Sequence, residues 1–237
     1  VDWMERFTTS QTVGEIVTLF PKAADLFKAN RIDFCCGGNV SVKEAAEKRN
    51  LSADELIAAI QEIYDKHAGS GNEKNWNEAS YTEIVNHIQE TYHAFLREEL
   101  PNLSPYVTKV MRVHGENHPH LVEVHEMFNR LKAELLEHTE KEDAEQFPAI
   151  RAYDLNPTAE NLATATKELT DLETEHASVG DILHRLREIT NDYTLPEGAC
   201  RTFQLVYRRL ENFENDTFQH IHLENNILFK RLLEEAV

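Results

Sequence analysis

Two stretches repeat one spacing, His138-x-x-x-Glu142 and His220-x-x-x-Glu224, and two further histidines, His93 and His176, stand upstream of them in sequence of helical character. On an α-helix, residues four apart lie one turn above each other on the same face, so each pair can present an imidazole and a carboxylate to one point. Four histidines and two carboxylates drawn from four helices make an N/O shell open to iron, manganese or zinc. The two carboxylates are the natural bridges if two metals sit side by side. A lone histidine on a helix is ordinarily a hydrogen-bonded or surface residue; it is the repetition that singles out these six.

The rest of the chain reads as a succession of helices. Thr12 with Glu15, Ser41 with Glu44, Ser52 with Glu55 and Ser80 with Glu83 fit the capping box, in which a hydroxyl and a carboxylate satisfy each other's backbone donors at a helix start. Pro21, Pro105, Pro119 and Pro196 are read as further starts, where a missing N–H costs little. No segment sustains period-2 alternation between turn signals, so the fold class is all-α.

The stretch 67–79, rich in Gly, Ser and Asn, reads as a linker. It divides a small helical domain, 1–66, from a four-helix bundle, 80–237. Helices are expected near 12–20, 22–30, 41–49 and 52–66, and then near 80–100, 105–115, 119–146, 158–190, 197–218 and 220–235. The stripes Ile84, Ile88, Tyr92, Phe95 and Leu121, Val124, Phe128, Leu131, Leu135 can face a common interior. So small a first domain needs support for its core, and docking on a partner or dimerisation would supply it.

Twenty-four Lys and Arg stand against 42 Asp and Glu in 237 residues, a formal charge of −18. Such a surface repels a phosphate backbone, which argues against nucleic acid as a ligand. No apolar run is long enough for a membrane helix. The opening VDWMERFTTSQ lacks the basic and apolar regions of a secretion signal, so the cytoplasm is the expected compartment. Three cysteines, two of them adjacent, exclude a disulfide scaffold. A bond between neighbours Cys35 and Cys36 would be strained and easily reduced, which makes the pair a candidate redox or transfer element; Cys200 is expected to be a buried small apolar residue. Two soft side chains packed in the small domain's core are the alternative for Cys35 and Cys36.

Two further carboxylates compete for the ligand roles. Glu90 and Glu173 stand three residues before His93 and His176 and would enter a carboxylate-rich, ferritin-like site, but that arrangement gives the two His-x-x-x-Glu pairs no reason to repeat. His222 points about 200° away from His220 on a helix.

The segments Tyr92-His93, His138-Thr-Glu-Lys-Glu142, Glu175-His176 and His220-Ile-His-Leu-Glu224-Asn-Asn resemble the ligand motifs of hemerythrin-like domains, specifically those of the RIC (ScdA/YtfE-like) iron–sulfur cluster repair family. Asp33-Phe34-Cys35-Cys36-Gly37-Gly38 is similar to the Cys-Cys-Gly-Gly motif of the small domain that precedes the bundle in that family. The resemblance runs from about Gln11 to Leu232 and is nearest to the ScdA branch. It implies a di-iron centre with His93, His138, His176 and His220 as terminal ligands, Glu142 and Glu224 as bridges and an oxo or hydroxo group between the irons. His114 matches a further histidine of the family and is a weaker candidate. The implied activity is repair of iron–sulfur clusters damaged by oxidative or nitrosative stress, by donating iron to damaged iron–sulfur proteins, in a protein expected to be a homodimer. A sensor or scavenger binding O2 or NO, or an enzyme reducing NO, would use the same ligands.

Overall fold

The computed structural model describes residues 6–67 and 74–237, so residues 68–73 of the expected linker lie outside the described residues. Among the described residues there is no strand, only one isolated bridge between Thr12 and Ser41. Two compact units are present: Val1–Ala79 with Ile221–Glu234, and Ser80–His220 with Glu235–Val237.

The first unit contains α1 (Val13–Leu19), α2 (Ala23–Ala29), α3 (Val42–Lys48) and α4 (Ala53–His67). The Thr12 capping box forms reciprocally, whereas at Ser41 and Ser52 only the hydroxyl half is made, to the Glu44 and Glu55 N–H groups. One such cap contributes about 1 kcal/mol. Two more orphan donors at the start of α1 are met from the cysteine loop, Val13 N–H by the Val40 carbonyl at 3.0 Å and Gly14 N–H by the Gly38 carbonyl at 2.8 Å. Val13, Ile16, Val17, Phe27, Val42, Ala46 and Ile60 fill the core.

The segment Ile221–Glu234 completes this unit. The Asn226 amide reaches between Gly14 and Gly38 and donates to the Phe34 carbonyl at 2.9 Å and to His222 Nδ1 at 2.8 Å. A Cβ on Gly38 would meet the Phe34 carbonyl oxygen at 2.6 Å and Asn226 Nδ2 at 2.8 Å; one on Gly14 would meet the Gly38 carbonyl oxygen at 2.8 Å. Both glycines are therefore required for close approach. Gly38→Ala is expected to destabilise this unit by about 3 kcal/mol, measured by denaturant unfolding and by loss of hydrogen-exchange protection over residues 33–40.

The second unit is built on long helices. α5 (Tyr81–His87), a π-helical stretch Ile88–His93 and α6 (Ala94–His114) form one unbroken run. So do α7 (His120–Lys141), a second π stretch Glu142–Gln146 and α8 (Phe147–Leu155). α9 (Ala159–Thr166) is followed by α10 (Leu169–Ile189). The final run is α11 (Arg201–His222), a third π stretch Leu223–Phe229 and α12 (Lys230–Glu235). The expected breaks near 100–105 and 218–220 are absent. Pro101 and Pro105 lie inside α6. They remove two intrahelical bonds, but buried Leu100, Leu103, Val107 and Val110 on the face packed against α7 hold the helix through them. Pro196 lies in the turn before α11. No helix among the described residues is long and apolar enough to cross a membrane.

Candidate metal centre

The core stripes carry the candidate ligands. On α7 the buried positions Leu121, Val124, Phe128, Leu131 and Leu135 run at alternating steps of three and four into His138 and Glu142. On α10, Leu169 and Leu172 lead to His176 and then Val179, Leu183 and Leu186; on the last run, Phe203, Val206, Leu210, Phe213 and Thr217 lead to His220 and Glu224. Each candidate on these three runs thus takes the next place on an inward-facing stripe.

The first run needs a correction of phase. Ile84 and Ile88 would be followed at helical steps by Thr91 or Tyr92, yet His93 is the fully buried residue, five positions after Ile88. The π stretch Ile88–His93 accommodates the extra residue, since its i to i+5 turn holds one more than an α turn, and the stripe resumes at Leu96, Leu100 and Leu103. Glu142 opens the second π stretch and Glu224 lies in the third. Three of the six candidates therefore sit on π turns. His176 lies in an uninterrupted α-helix.

Two groups of buried side chains have ligand atoms within 4.8 Å of one another: His93, Glu142, His220 and Glu224 in one, His138, Glu142, His176 and Glu224 in the other. Each group holds two histidines, and both carboxylates belong to both groups. His93 Nε2 lies 3.6 Å and His138 Nε2 2.9 Å from Glu142 Oε1, and the Nε2 atoms of His138 and His176 are 2.8 Å apart. Phe147 stacks on His93 with ring centroids 5.4 Å apart, and Tyr92 on His220 at 5.2 Å, which walls the histidine rings with aromatic surface.

The outer nitrogens are held by carboxylates. His93 Nδ1 is 2.8 Å from Asp143 Oδ1, and His138 Nδ1 is 2.5 Å from Glu175 Oε2. Burial raises the Asp143 carboxyl, but bonds from His93, Gln89 and Arg97 outweigh it and hold the group at about 2. Burial likewise opposes ionisation of Glu175, and His138 and Lys141 lower it overall. With Nδ1 donating outward, a neutral imidazole turns the lone pair of Nε2 inward. Neither carboxylate was singled out as a support from sequence. Asp143 directly follows a candidate ligand and Glu175 directly precedes one, a placement visible only once helix directions are known. Asp143→Ala is expected to leave the helices intact and to weaken metal affinity about 10–100-fold, read by competition with a chelator.

These residues fit a cation. Both Glu142 oxygens are buried and neither accepts a hydrogen bond among the described residues, although His138 Nε2 approaches to 2.9 Å. That nitrogen also faces His176 Nε2, and at most one proton can stand between the two rings. Converging lone pairs beside a buried carboxylate cost several kcal/mol, on the order expected for an uncompensated charge, unless positive charge lies among them.

Other sequence candidates are placed elsewhere. His114 ends α6, 21 residues from His93 and so about 30 Å along the helix; its Nε2 contacts Cys200 Sγ at 3.1 Å, and it belongs to neither group. Cys200 is exposed, not buried as expected, because α11 begins only at Arg201 and leaves it in the preceding turn. Glu90 is exposed and Glu173 half-buried, and neither joins a group. His222 is buried against the Phe34 ring, and burial pushes it down to about 4. Cys35 is buried and Cys36 half-buried, with their sulfurs 3.9 Å apart. Asp33 Oδ1 accepts from the Cys35 and Cys36 N–H groups at 2.9 and 3.0 Å and from the Cys35 thiol at 3.2 Å.

Comparison with known proteins divides the chain into two matched regions. Residues 9–64 match the ScdA_N family, described as a domain of unknown function (DUF542), and residues 84–232 match the hemerythrin HHE cation binding domain. The iron-sulfur cluster repair protein ScdA of Staphylococcus haemolyticus is 40% identical over 224 residues, which cover 94% of this chain and 98% of that protein. A probable iron-sulfur cluster repair protein of Haemophilus influenzae is 34% identical, covering 95% of this chain and 97% of that protein. The iron-sulfur cluster repair protein YtfE of Pectobacterium atrosepticum is 35% identical, covering 94% and 96%.

Proposed function

Since the chain belongs to the ScdA/YtfE family of hemerythrin-domain iron–sulfur cluster repair proteins, we propose that it repairs damaged clusters by supplying iron from a pair of ions held by His93, His138, Glu142, His176, His220 and Glu224. The observation that carries this reading is the sharing of Glu142 and Glu224 between two groups that each add two histidines. Two carboxylates common to two adjacent positions would suit bridging two ions, and an oxo or hydroxo group would complete the shell. Iron held by this N/O shell would leave more readily as ferrous ion than as oxo-bridged ferric ion, so an external donor supplying one electron per ferric ion would gate release.

The protein's own part is to fix the shell. Asp143 and Glu175 orient His93 and His138 from outside, so Nε2 faces inward without reorganisation. Phe147 and Tyr92 restrict water around the rings. The clients of this reading are damaged iron–sulfur proteins, the setting is the cytoplasm under oxidative or nitrosative stress, and the assembly is a homodimer, which sedimentation would establish.

The test is transfer. Reduced, iron-loaded protein is incubated with an iron–sulfur protein whose cluster nitric oxide has degraded, and iron in both proteins is measured beside the recovery of cluster absorbance. Iron leaving this protein as the client's cluster returns supports repair. Iron retained while O2 or NO binds reversibly would instead make it a ligand-binding protein.

A further inference from the structure

We propose that Asp33, Cys35 and Cys36 form a second metal site, separate from the histidine and carboxylate groups, that takes one thiophilic divalent ion through two thiolates and a carboxylate. Ligand atoms of the three residues lie within 4.8 Å of one another. The geometry of the sulfurs is the decisive point. At 3.9 Å they are far beyond the roughly 2.05 Å of a disulfide. Two thiolates bound tetrahedrally at about 2.3 Å to one zinc-like ion stand about 3.8 Å apart. Asp33 Oδ1, 3.2 Å from Cys35 Sγ, is within the span that a carboxylate oxygen and a thiolate share on such an ion.

The loop is built to keep this arrangement. Asp33 is tied through Oδ1 to the N–H groups of both cysteines, so carboxylate and sulfurs move as one body. The Phe34 carbonyl between them is held by Asn226, and Gly38 gives that amide room. Cys35 forms a buried floor, while Asp33 and Cys36 are partly exposed at the rim, which gives an ion a way in and leaves a fourth position open to water or an incoming ligand. On binding, each thiol yields its proton to solvent, and one divalent ion with two thiolates and one carboxylate leaves a net charge of −1. Three protein ligands leave the fourth place open to water or an incoming donor, in contrast to a closed structural site with four. Ferrous iron and zinc both suit the donor set.

The experiment is a titration of the reduced, metal-stripped full-length protein with Co2+. Thiolate-to-cobalt charge transfer in the near ultraviolet reports sulfur ligation, and cobalt bound by histidines and carboxylates does not contribute to it, so the result is independent of what the bundle holds. The band is expected to appear with one equivalent per chain, to persist in Cys200→Ser, and to vanish in both Cys35→Ser and Cys36→Ser. Asp33→Asn is expected to weaken binding tenfold or more. No band in the parent, a band surviving in the Cys35→Ser/Cys36→Ser double variant, or loss in only one single variant would overturn the two-thiolate site. Circular dichroism of each variant, equal to the parent's, establishes that a lost band reflects lost ligands.

Discussion

Replacing either shared carboxylate, by Glu142→Ala or Glu224→Ala, is expected to reduce the iron content from about two ions per chain to fewer than one and to abolish any spectroscopic signature of a bridged pair. Each carboxylate belongs to both ligand groups, so its loss under-coordinates two positions at once, whereas loss of one histidine strips one. Removing a ligand should also have opposite effects on stability with and without metal. In the stripped protein, Glu142 is a buried carboxylate whose oxygens accept no hydrogen bond among the described residues. The isosteric Glu142→Gln is then expected to stabilise the apo form, by on the order of 1–3 kcal/mol. In the loaded protein the same change removes the linkage stabilisation that bound metal confers. Unfolding curves of parent and variant, each with and without iron, would show this crossing. A parent that binds a single zinc when grown with adequate iron would defeat the di-iron reading, as would a Glu142→Ala protein that keeps both ions.

Much of this arrangement was legible in the sequence because the ligands obey the same periodicity as the core. His138, Glu142, His176, His220 and Glu224 fall on stripes that Leu, Val and Phe already mark, so the all-α class and the inward placement of these residues come from one pattern. His93 shows where that pattern stops being sufficient. Its place five residues after Ile88 breaks the helical step, and only a π turn restores it. The five-residue step was the available signal, and reading Tyr92 into the stripe concealed it. A helix start was misread at Pro105 because proline marks a start only where the missing N–H has no other use. In α6 the packing against α7 outweighs two lost bonds. The supports Asp143 and Glu175 lie next in sequence to ligands but act on rings from other helices, His93 and His138, and such pairings depend on tertiary placement that no periodicity encodes.

A cut at the linker would separate residues 80–237 from the partners of their own last segment. Ile221–Glu234 groups with Val1–Ala79, and α1 packs against the π stretch Leu223–Phe229 that contains Glu224. Two residues beyond that ligand, the Asn226 amide is anchored on the Phe34 carbonyl between Gly14 and Gly38. A fragment lacking residues 1–66 would expose this face and free that amide. A π turn is a costly local geometry kept in place by its surroundings, so the turn at Glu224 is expected to relax towards α-helix in the fragment and rotate the carboxylate away. We therefore expect the fragment to retain the helical content of α5 to α10 but to bind fewer than two irons per chain. Full-length Gly38→Ala, which disturbs the same contact without deleting anything, should lower metal affinity in the same direction and by less. Circular dichroism and metal analysis on both proteins decide the matter: two tightly bound irons in the fragment would show that residues 80–237 hold the Glu224 turn unaided and that the bundle is autonomous.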